Sequence, residues 1–308
     1  MAEIWDAIIV GAGPAGLSAA LYLARFRRST LVIHDGRSRA AQIPLTHNVP
    51  GCPSGVSGER LLSRMTRHAV EYGAALVGAH VESASICDRG FALRSNDGTG
   101  WSCRALVLAT GVDQNDVPIE ARARQAAIDA GVLRYCPICD GYEHIGQRIA
   151  VIGCDRQGAG EALFLRRYSA DVTLIPRRYA DLDSAILQKL LDSGVRVLKA
   201  PVARFIFRER EMRLQFQNGA GEAHFDVVYP ALGLHPRCKL ATELGLAVDD
   251  AGALGAESIF GTKVPGLYAA GDVVAGLDQI SVAMGHGAIA ATKAHNWLRD
   301  QDGQALER

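Results

Sequence analysis

Apolar residues along the chain fall into short continuous runs and longer stretches with helical spacing, and glycines separate the two patterns. Residues 6–10 form an apolar run that ends at Gly11, residues 17–27 have helical spacing, and residues 30–33 are rich in β-branched side chains. Short apolar runs bounded by glycine are typical of buried strands, and the longer spacing is typical of an amphipathic helix. The pattern predicts a strand, a glycine turn, a helix and a second strand.

A second unit with the same pattern begins near residue 148. Residues 149–152 predict a strand, residues 153–158 a glycine turn, residues 161–169 a helix, and residues 172–175 the next strand. Two such units indicate a duplicated mononucleotide-binding fold. We therefore predict an α/β protein that contains two Rossmann-like nucleotide-binding domains, each built from three layers.

The segments around the second unit complete the predicted elements. Residues 184–193 predict a helix, and residues 202–207 and 212–216 alternate as antiparallel strands do. Residues 106–111 and the stretch around Pro118 lie between the two units, and we expect them to form a linker.

The last quarter of the chain resembles the end of the first domain. An apolar strand at residues 266–270 precedes an alanine-rich helix at residues 281–298. We therefore expect a discontinuous first domain with the second domain inserted into it. The predicted boundaries are residues 1–115 with 244–308 for the first domain, and residues 116–243 for the second.

Composition excludes several classes of function. The chain has 308 residues, with 33 lysines and arginines against 33 aspartates and glutamates, so its formal net charge is zero. A nucleic-acid-binding protein would carry a basic excess. No stretch approaches about 18 apolar residues without a charge, and the first residues lack a basic region and a cleavage site. We expect a cytoplasmic protein with no membrane or nucleic-acid partner and with mostly reduced cysteines.

The first glycine turn fits the G-x-G-x-x-G pattern of dinucleotide-binding proteins completely. Gly11 allows the tight turn, Gly13 lets the backbone approach a pyrophosphate, and Gly16 lets the helix pack closely on the sheet. Pro14 and Ala15 open the helix, where free backbone N–H groups attract phosphate.

Asp35 follows the second predicted strand, about 20 residues beyond this turn. The fold places an acidic residue there that accepts hydrogen bonds from the ribose hydroxyls. A solvated loop carboxylate is the alternative interpretation of Asp35, and the two stay open.

The segment Cys136-Pro137-Ile138-Cys139 lies just ahead of the second unit. A zinc site would need two more ligands at matching spacing, and His144 alone would not complete it. A redox dithiol needs only the pair. We favour the redox pair and predict no metal, because the remaining cysteines occur singly, at Cys52, Cys87, Cys103, Cys154 and Cys238.

Asp140 follows the pair directly and precedes a glycine. A carboxylate beside a reacting thiol can move the proton that thiol exchange requires, so Asp140 is a candidate acid–base group. The alternative is an ordinary turn residue of an Asp-Gly pair.

Four motifs together resemble the low-molecular-weight thioredoxin reductase family over nearly the whole chain. They are the first glycine turn, the C-x-x-C-D-G segment, Ala109-Thr110-Gly111 and Ala270-Gly271-Asp272. The resemblance implies a homodimeric flavoprotein that binds FAD in the first domain and has an NAD(P)H-type second domain carrying the cysteine pair. It also implies a thioredoxin-like protein or a small disulfide or dithiol as substrate.

The resemblance assigns roles to individual residues. Asp272 would bind the ribitol chain, and Gln279 would lie by the isoalloxazine. Cys139 would exchange electrons with the flavin, Cys136 would attack the partner disulfide, and Asp140 would transfer the proton. The residues expected to bind the cofactor are Gly11, Gly13, Pro14, Ala15, Gly16, Asp35, Gln42, Asn48, Val81, Ala109, Thr110, Gly111, Gly271, Asp272, Gln279 and Ile280.

The second glycine turn departs from the family's pattern. Asp155 stands where the family has its middle glycine, which lets the backbone touch a pyrophosphate. At contact distance and an effective dielectric constant near 20, like charges repel by about 4 kcal/mol. Leu182 replaces the family's third arginine for the NADPH 2′-phosphate. The remnant of an NADPH site would comprise Gly153, Gly158, Arg177 and Arg178.

This departure leaves the electron partner open among NADPH, reduced ferredoxin and oxygen. Residues 135–143 resemble the gliotoxin and holomycin dithiol oxidases as much as the reductases, although those oxidases often have histidine at the position of Asp140. His286, in the last predicted helix, would be a base near the flavin or a helix-surface histidine. A non-catalytic flavin redox sensor is the remaining alternative.

Overall fold

The computed structural model of the protein describes residues 4–153, 156–177, 179 and 182–305. Within these residues a seven-stranded mixed sheet and a four-stranded parallel sheet each have helices packed against them, which confirms the predicted α/β class. No helix in this part of the chain is long and apolar enough to cross a membrane. Cys154, Asp155 and Arg178 lie outside the described residues.

The elements follow one another in strand–helix order through both units. In chain order, the described strands are β1 (Ile4–Val10), β2 (Thr30–His34), β3 (Ala75–Gly78), β4 (Val81–Cys87), β5 (Gly90–Ser95), β6 (Gly100–Leu108), β7 (Val112–Gln114), β8 (Ile149–Ile152), β9 (Val172–Ile175), β10 (Arg196–Val197), β11 (Val202–Arg208), β12 (Glu211–Phe216), β13 (Glu222–Phe225), β14 (Val227–Pro230), β15 (Leu234–Pro236) and β16 (Leu267–Ala269). The α-helices are α1 (Pro14–Arg25), α2 (Gly58–Glu71), α3 (Ala121–Asp129), α4 (Pro137–Asp140), α5 (Arg156–Leu165), α6 (Ser184–Asp192), α7 (Lys239–Glu243) and α8 (Ile280–Gln301).

The first sheet combines strands from both ends of the chain. Its order is β3-β2-β1-β6-β5-β4, and β16 pairs with β6. Strands β1, β2, β3, β6 and β16 run parallel, and β4 and β5 form an antiparallel extension. Because β16 is separated from β6 by the whole second unit, the chain leaves this sheet and returns to it.

The predicted linker at residues 106–111 was wrong in its first half. Leu106, Val107 and Leu108 form the end of β6, in the middle of the sheet, and at most 1% of each side chain is exposed. An apolar run followed by glycine is typical of a parallel strand buried on both faces, and this is the structure these residues adopt. The chain crosses to the second unit only after residue 111.

The second unit is built on the parallel sheet β10-β9-β8-β14, with the antiparallel sheet β11-β12-β13 beside it. Strands β8 and β9 match the predicted ranges, and the antiparallel pairing of β11 with β12 is confirmed. Where the chain crosses between the units, β7 pairs antiparallel with β15.

Helix α5 begins earlier and ends earlier than the predicted range 161–169. Gly158 is part of the helix, and a Cβ on this residue would lie 3.1 Å from the backbone of Gly153. The glycine therefore serves close packing between helix and strand rather than a turn. The local sequence does not distinguish a glycine needed for close helix packing from a glycine needed for a turn.

Helices α1 and α8 pack against each other over the first sheet through glycine contacts. A Cβ on Gly16 would lie 1.9 Å from the backbone oxygen of Gly11, and a Cβ on Gly287 would lie 2.1 Å from the backbone oxygen of Ala15. Neither position has room for any side chain. These contacts fix the start of α1 and the line of α8 relative to the carboxyl edge of the sheet.

Candidate functional site

A cavity of about 370 Å³ lies between the carboxyl edge of the first sheet and the segment that carries the cysteine pair. Strands β1, β6 and β16 lead into it, and open α/β sheets bind their ligands at this edge. The structure brings most of the predicted site residues together here, namely Gly11, Gly13, Pro14, Ala15, Asp35, Gln42, Asn48, Ala109, Thr110, Gly111, Cys136, Cys139, Asp140, Gly271, Asp272, Gln279 and Ile280.

The remaining predicted residues do not line this cavity. Gly16 is packed beneath it against Gly11, and Val81 lines an adjoining pocket of about 120 Å³. The predicted NADPH remnant is separate as well, because Gly153 and Gly158 lie in the second unit and the described Arg177 is exposed. Arg178 lies outside the described residues.

Gly11 and Gly13 of the first turn are glycines for different structural reasons. Gly11 has a φ of +112°, and a Cβ there would lie 2.2 Å from the backbone oxygen of Ala109. Gly13 has an ordinary φ of −78°, and a Cβ added to it would have Ser38 Oγ as its nearest neighbour, at 3.5 Å. The protein itself therefore leaves room for a side chain at Gly13. A glycine at this position, beside the N-terminus of α1, fits a dinucleotide pyrophosphate that approaches the backbone closely.

The carboxylate of Asp35 contacts two basic side chains and is not surrounded by solvent alone. Its Oδ2 lies 2.6 Å from Arg37 and 3.3 Å from His80 Nδ1. Partial burial raises its pKa, but the hydrogen bonds and charge of Arg37 outweigh this and hold the pKa at about 2. The carboxylate is therefore ionised and borders both the cavity and the adjoining pocket.

An arginine missed by sequence reasoning joins two carboxylates at the cavity. Arg39 Nη1 lies 3.3 Å from Asp272 Oδ2 and 3.4 Å from Asp278 Oδ2. Burial and the neighbouring Asp278 charge raise the pKa of Asp272 to about 6, although Arg39 opposes the shift. Arg39 belongs to no motif, and its two partners lie more than 230 residues further along the chain, ahead of α8. The sequence therefore contains no signal for this contact.

The cysteine pair forms a disulfide whose sulfurs face the start of α8. Cys136 is the N-cap residue of the short helix α4, Cys139 lies within that helix, and both line the cavity. Gln279 Nε2 lies 3.4 Å from Cys136 Sγ and 3.5 Å from Cys139 Sγ. The structure thus places the predicted redox pair beside the residue expected near the isoalloxazine.

Asp140 is buried behind the pair in a polar cluster. Tyr229 donates a hydrogen bond of 2.7 Å to Asp140 Oδ1, and Arg134 Nε lies 3.3 Å from Oδ2. Burial raises the pKa of Asp140, while the Tyr229 hydrogen bond and the Arg134 charge lower it in part. Asp140 therefore keeps its proton to a higher pH than an exposed aspartate. Tyr229 lies in the apolar strand β14, and nothing in its local sequence indicates the contact with Asp140.

His286, the candidate base near the flavin or helix-surface histidine, is half-buried on the last helix. It lies on α8 with its Nδ1 buried and without a hydrogen-bond partner among the described residues, and it does not line the cavity. Burial lowers its pKa. Among the described residues there is also no group of three or more His, Cys, Asp or Glu that could hold a metal ion.

Comparisons with known proteins identify related sequences and structures. A family profile described as pyridine nucleotide-disulphide oxidoreductase matches residues 5–287. The chain is 30% identical to a thioredoxin reductase of Coxiella burnetii over 94% of this chain and 95% of that protein. The crystal structure of HlmI superposes with a TM-score of 0.89 at 27% identity, covering 98% of this chain and 96% of that one.

A further solved structure covers nearly the same share of the chain as HlmI but superposes less well. A Lactococcus lactis thioredoxin reductase, described as being in the FR conformation, is 25% identical and covers 96% of this chain and 99% of its own, but its TM-score is 0.62. The coverage is nearly the same as for HlmI, so the lower score reflects a poorer global superposition over the same length of chain.

The hydrogen bond from Tyr229 generates a prediction for Asp140. We expect Tyr229→Phe to raise the pKa of Asp140 further, by about one unit, because the carboxylate loses a donor that favours its charged form. The carboxyl stretching band of Asp140, isolated by difference infrared spectroscopy against Asp140→Asn, measures this titration. Tyr268→Phe is the matched control, since the Tyr268 hydroxyl donates to Lys293 O instead. An unchanged or lowered titration midpoint in Tyr229→Phe would contradict the assignment.

Proposed function

Because the chain belongs to the pyridine nucleotide-disulphide oxidoreductase family, we propose that it exchanges electron pairs between FAD and the Cys136–Cys139 disulfide. It is a thioredoxin reductase-like flavin disulfide oxidoreductase. The observation that carries the proposal is the position of both sulfurs on the wall of the cavity at the carboxyl edge of the first sheet.

Residues of the cavity wall fit the parts of FAD. The turn at Gly11 and Gly13 with the N-terminus of α1 would hold the pyrophosphate, and Asp272 would accept hydrogen bonds from the ribitol chain. These residues belong to the proposed FAD-binding domain, residues 1–115 with 244–308. The flavin, when bound, supplies the two-electron redox chemistry that the cysteine pair requires.

The chain's own residues handle the sulfurs and the protons. Reduction of the Cys136–Cys139 disulfide takes two electrons and two protons and yields two thiols. In the proposed assignment Cys139 exchanges electrons on the flavin side, and Cys136 attacks the substrate disulfide as a thiolate. Asp140 holds the proton that this exchange consumes or releases, and its raised pKa suits a group that must be protonated part of the time.

The names of the relatives support a proposal for the substrate class. Curated relatives are named thioredoxin reductases, so we propose a thioredoxin-like protein or a small disulfide or dithiol as the partner of Cys136. A thioredoxin disulfide would take up two electrons and two protons. A small dithiol would release them, becoming a disulfide.

NADPH is proposed to be a poor electron partner. Asp155 occupies the position of the pyrophosphate-contacting glycine, and Leu182, at the position of the third arginine, is 9% exposed and packed in the core of the second unit. Oxygen and reduced ferredoxin are the alternatives. Oxygen would accept two electrons and two protons to give hydrogen peroxide, and two ferredoxins would each donate one electron.

The proposal is tested by counting thiols. Under anaerobic photoreduction the holoenzyme should gain two alkylatable thiols relative to the oxidised protein, while Cys139→Ser should gain none and should not turn over thioredoxin or a small aromatic disulfide. Cys87→Ser is the control, because Cys87 is exposed and unpaired. Turnover that survives in Cys139→Ser would overturn the proposed function.

The space at Gly13 gives a test of the cofactor site. We expect Gly13→Ala to fold with an unchanged melting temperature when stripped of flavin, because the Cβ meets only an ordinary contact. Its dissociation constant for FAD should rise at least about tenfold, because the methyl group displaces the pyrophosphate. Flavin fluorescence titration measures this, and Gly160→Ala, at a helix position with no atom near the added Cβ, is the control. Wild-type affinity in Gly13→Ala would contradict the proposed pyrophosphate position.

The NADPH proposal predicts the outcome of stopped-flow mixing. Excess NADPH should not bleach the flavin absorbance of the wild type within seconds, whereas Asp155→Gly should accelerate bleaching at least about tenfold by removing the like-charge repulsion. Asp155→Asn keeps the bulk and removes the charge, so it separates the two effects. Rapid bleaching in the wild type would restore the ordinary NADPH-dependent reductase.

A further inference from the structure

Three polar side chains, those of Thr46, Asn48 and Gln279, form a continuous hydrogen-bonded line that ends on the disulfide. Thr46 Oγ1 donates to Asn48 Oδ1 at 2.8 Å, and Asn48 Nδ2 donates to Gln279 Oε1 at 2.9 Å. Gln279 Nε2 then lies within 3.5 Å of both cysteine sulfurs. Thr46, at the far end of the line, is only 2% exposed and is held by backbone hydrogen bonds with Val56.

The sulfurs determine the direction of this line. A disulfide sulfur has no proton and a thiolate has none either, so each can only accept a hydrogen bond. Gln279 must therefore turn its NH₂ group to the sulfurs and its Oε1 to Asn48. The separation of 3.7 Å between Cys139 Sγ and Gln279 Oε1 is not a hydrogen bond in the oxidised protein for the same reason.

We propose that Gln279 is a catalytic hydrogen-bond donor to the two sulfurs, and that Asn48 and Thr46 are positioning residues that keep its amide in the donating orientation. A donor aimed at sulfur stabilises the thiolate more than the disulfide, because charge-assisted hydrogen bonds are the stronger ones. The line therefore lowers the pKa of the attacking thiol and raises the reduction potential of the pair. This inference rests on the proposed function, since it concerns the same redox pair.

Other charged groups near the sulfurs are already held in pairs. On the segment of the cysteines, Asp140 is paired with Arg134. Glu143 is paired with His47 across the two units at 3.0 Å, and beside Gln279 the carboxylate of Asp278 is paired with Arg39. The neutral amide of Gln279 is the group among the described residues that offers N–H donors to both sulfurs.

Two substitutions of nearly unchanged shape should turn an oxygen, instead of an N–H donor, towards the sulfurs. Gln279→Glu replaces the donor with a carboxylate, which accepts from Asn48 but offers the sulfurs no proton when ionised. Asn48→Asp keeps the acceptor for Thr46 but presents an oxygen to Gln279 Oε1, so the Gln279 amide should rotate by half a turn and aim its oxygen at the sulfurs. Thr46→Val removes the anchor of Asn48 and should give a smaller shift in the same direction.

The holoenzyme is equilibrated in dithiothreitol redox buffers, and the reduced fraction is read by alkylation and mass spectrometry. We expect the equilibrium constant for reduction to fall about tenfold in Gln279→Glu and Asn48→Asp, which is about 30 mV for a two-electron couple. The pH midpoint of iodoacetamide alkylation of the reduced enzyme should rise by about one unit. Asn96→Asp, which adds the same charge in the turn between β5 and β6, should match the wild type.

The outcomes separate this inference from the proposed function. A wild-type pair that does not cycle in these buffers would defeat the proposed function itself. A wild-type pair that cycles, with potentials and alkylation midpoints unchanged in Gln279→Glu and Asn48→Asp, would overturn the inference alone. Where flavin absorbance shows that these variants have lost cofactor, Thr46→Val decides, and an unchanged potential in this variant overturns the inference.

Discussion

Three backbone contacts with no room for a side chain determine the geometry of the cavity. Gly11 meets the backbone oxygen of Ala109, Gly16 meets that of Gly11, and Gly287 meets that of Ala15. They join the first strand, the first helix, the central strand β6 and the last helix at one edge of the sheet. Because α8 is held against α1 in this way, the start of α8, with Gln279 ahead of it, has a fixed position relative to the glycine turn.

The polar groups of the cavity depend on this closely packed edge. Buried charges are costly unless they are paired, and the buried Asp140 and the half-buried Asp272 and Asp278 each have a cationic partner. Arg39 serves Asp272 and Asp278 on one side, and Arg134 serves Asp140 on the other. Burial nevertheless raises the pKa of all three carboxyls. The site thus combines carboxyl groups that keep their protons to a higher pH than exposed carboxyls do with sulfurs that must gain or lose protons.

The sequence was informative wherever backbone geometry requires a particular residue. Gly11 and Gly16 could be assigned because the tight turn and the close helix contact exclude other residues, and the apolar runs identified β8 and β9. Residues 106–108 were misassigned because a buried central strand and an apolar linker have the same local composition. Tyr229, Arg134 and Arg39 could not be found, because their contacts join segments far apart in the chain and depend on tertiary packing alone.

The proposed function depends on how the two units are arranged, because this arrangement holds the disulfide at the cavity. Contacts between the units hold the disulfide at the cavity, namely the His47–Glu143 pair and the hydrogen bonds from Gln279 to the sulfurs. To bring a nicotinamide held by the second unit to a flavin in this cavity, these contacts would have to break as one unit rotates against the other. Under the proposed function NADPH binds poorly, so no step requires the pair to leave the cavity on behalf of a nicotinamide. Hydrogen bonds between the units can then tune the sulfurs without having to break for a nicotinamide in each cycle.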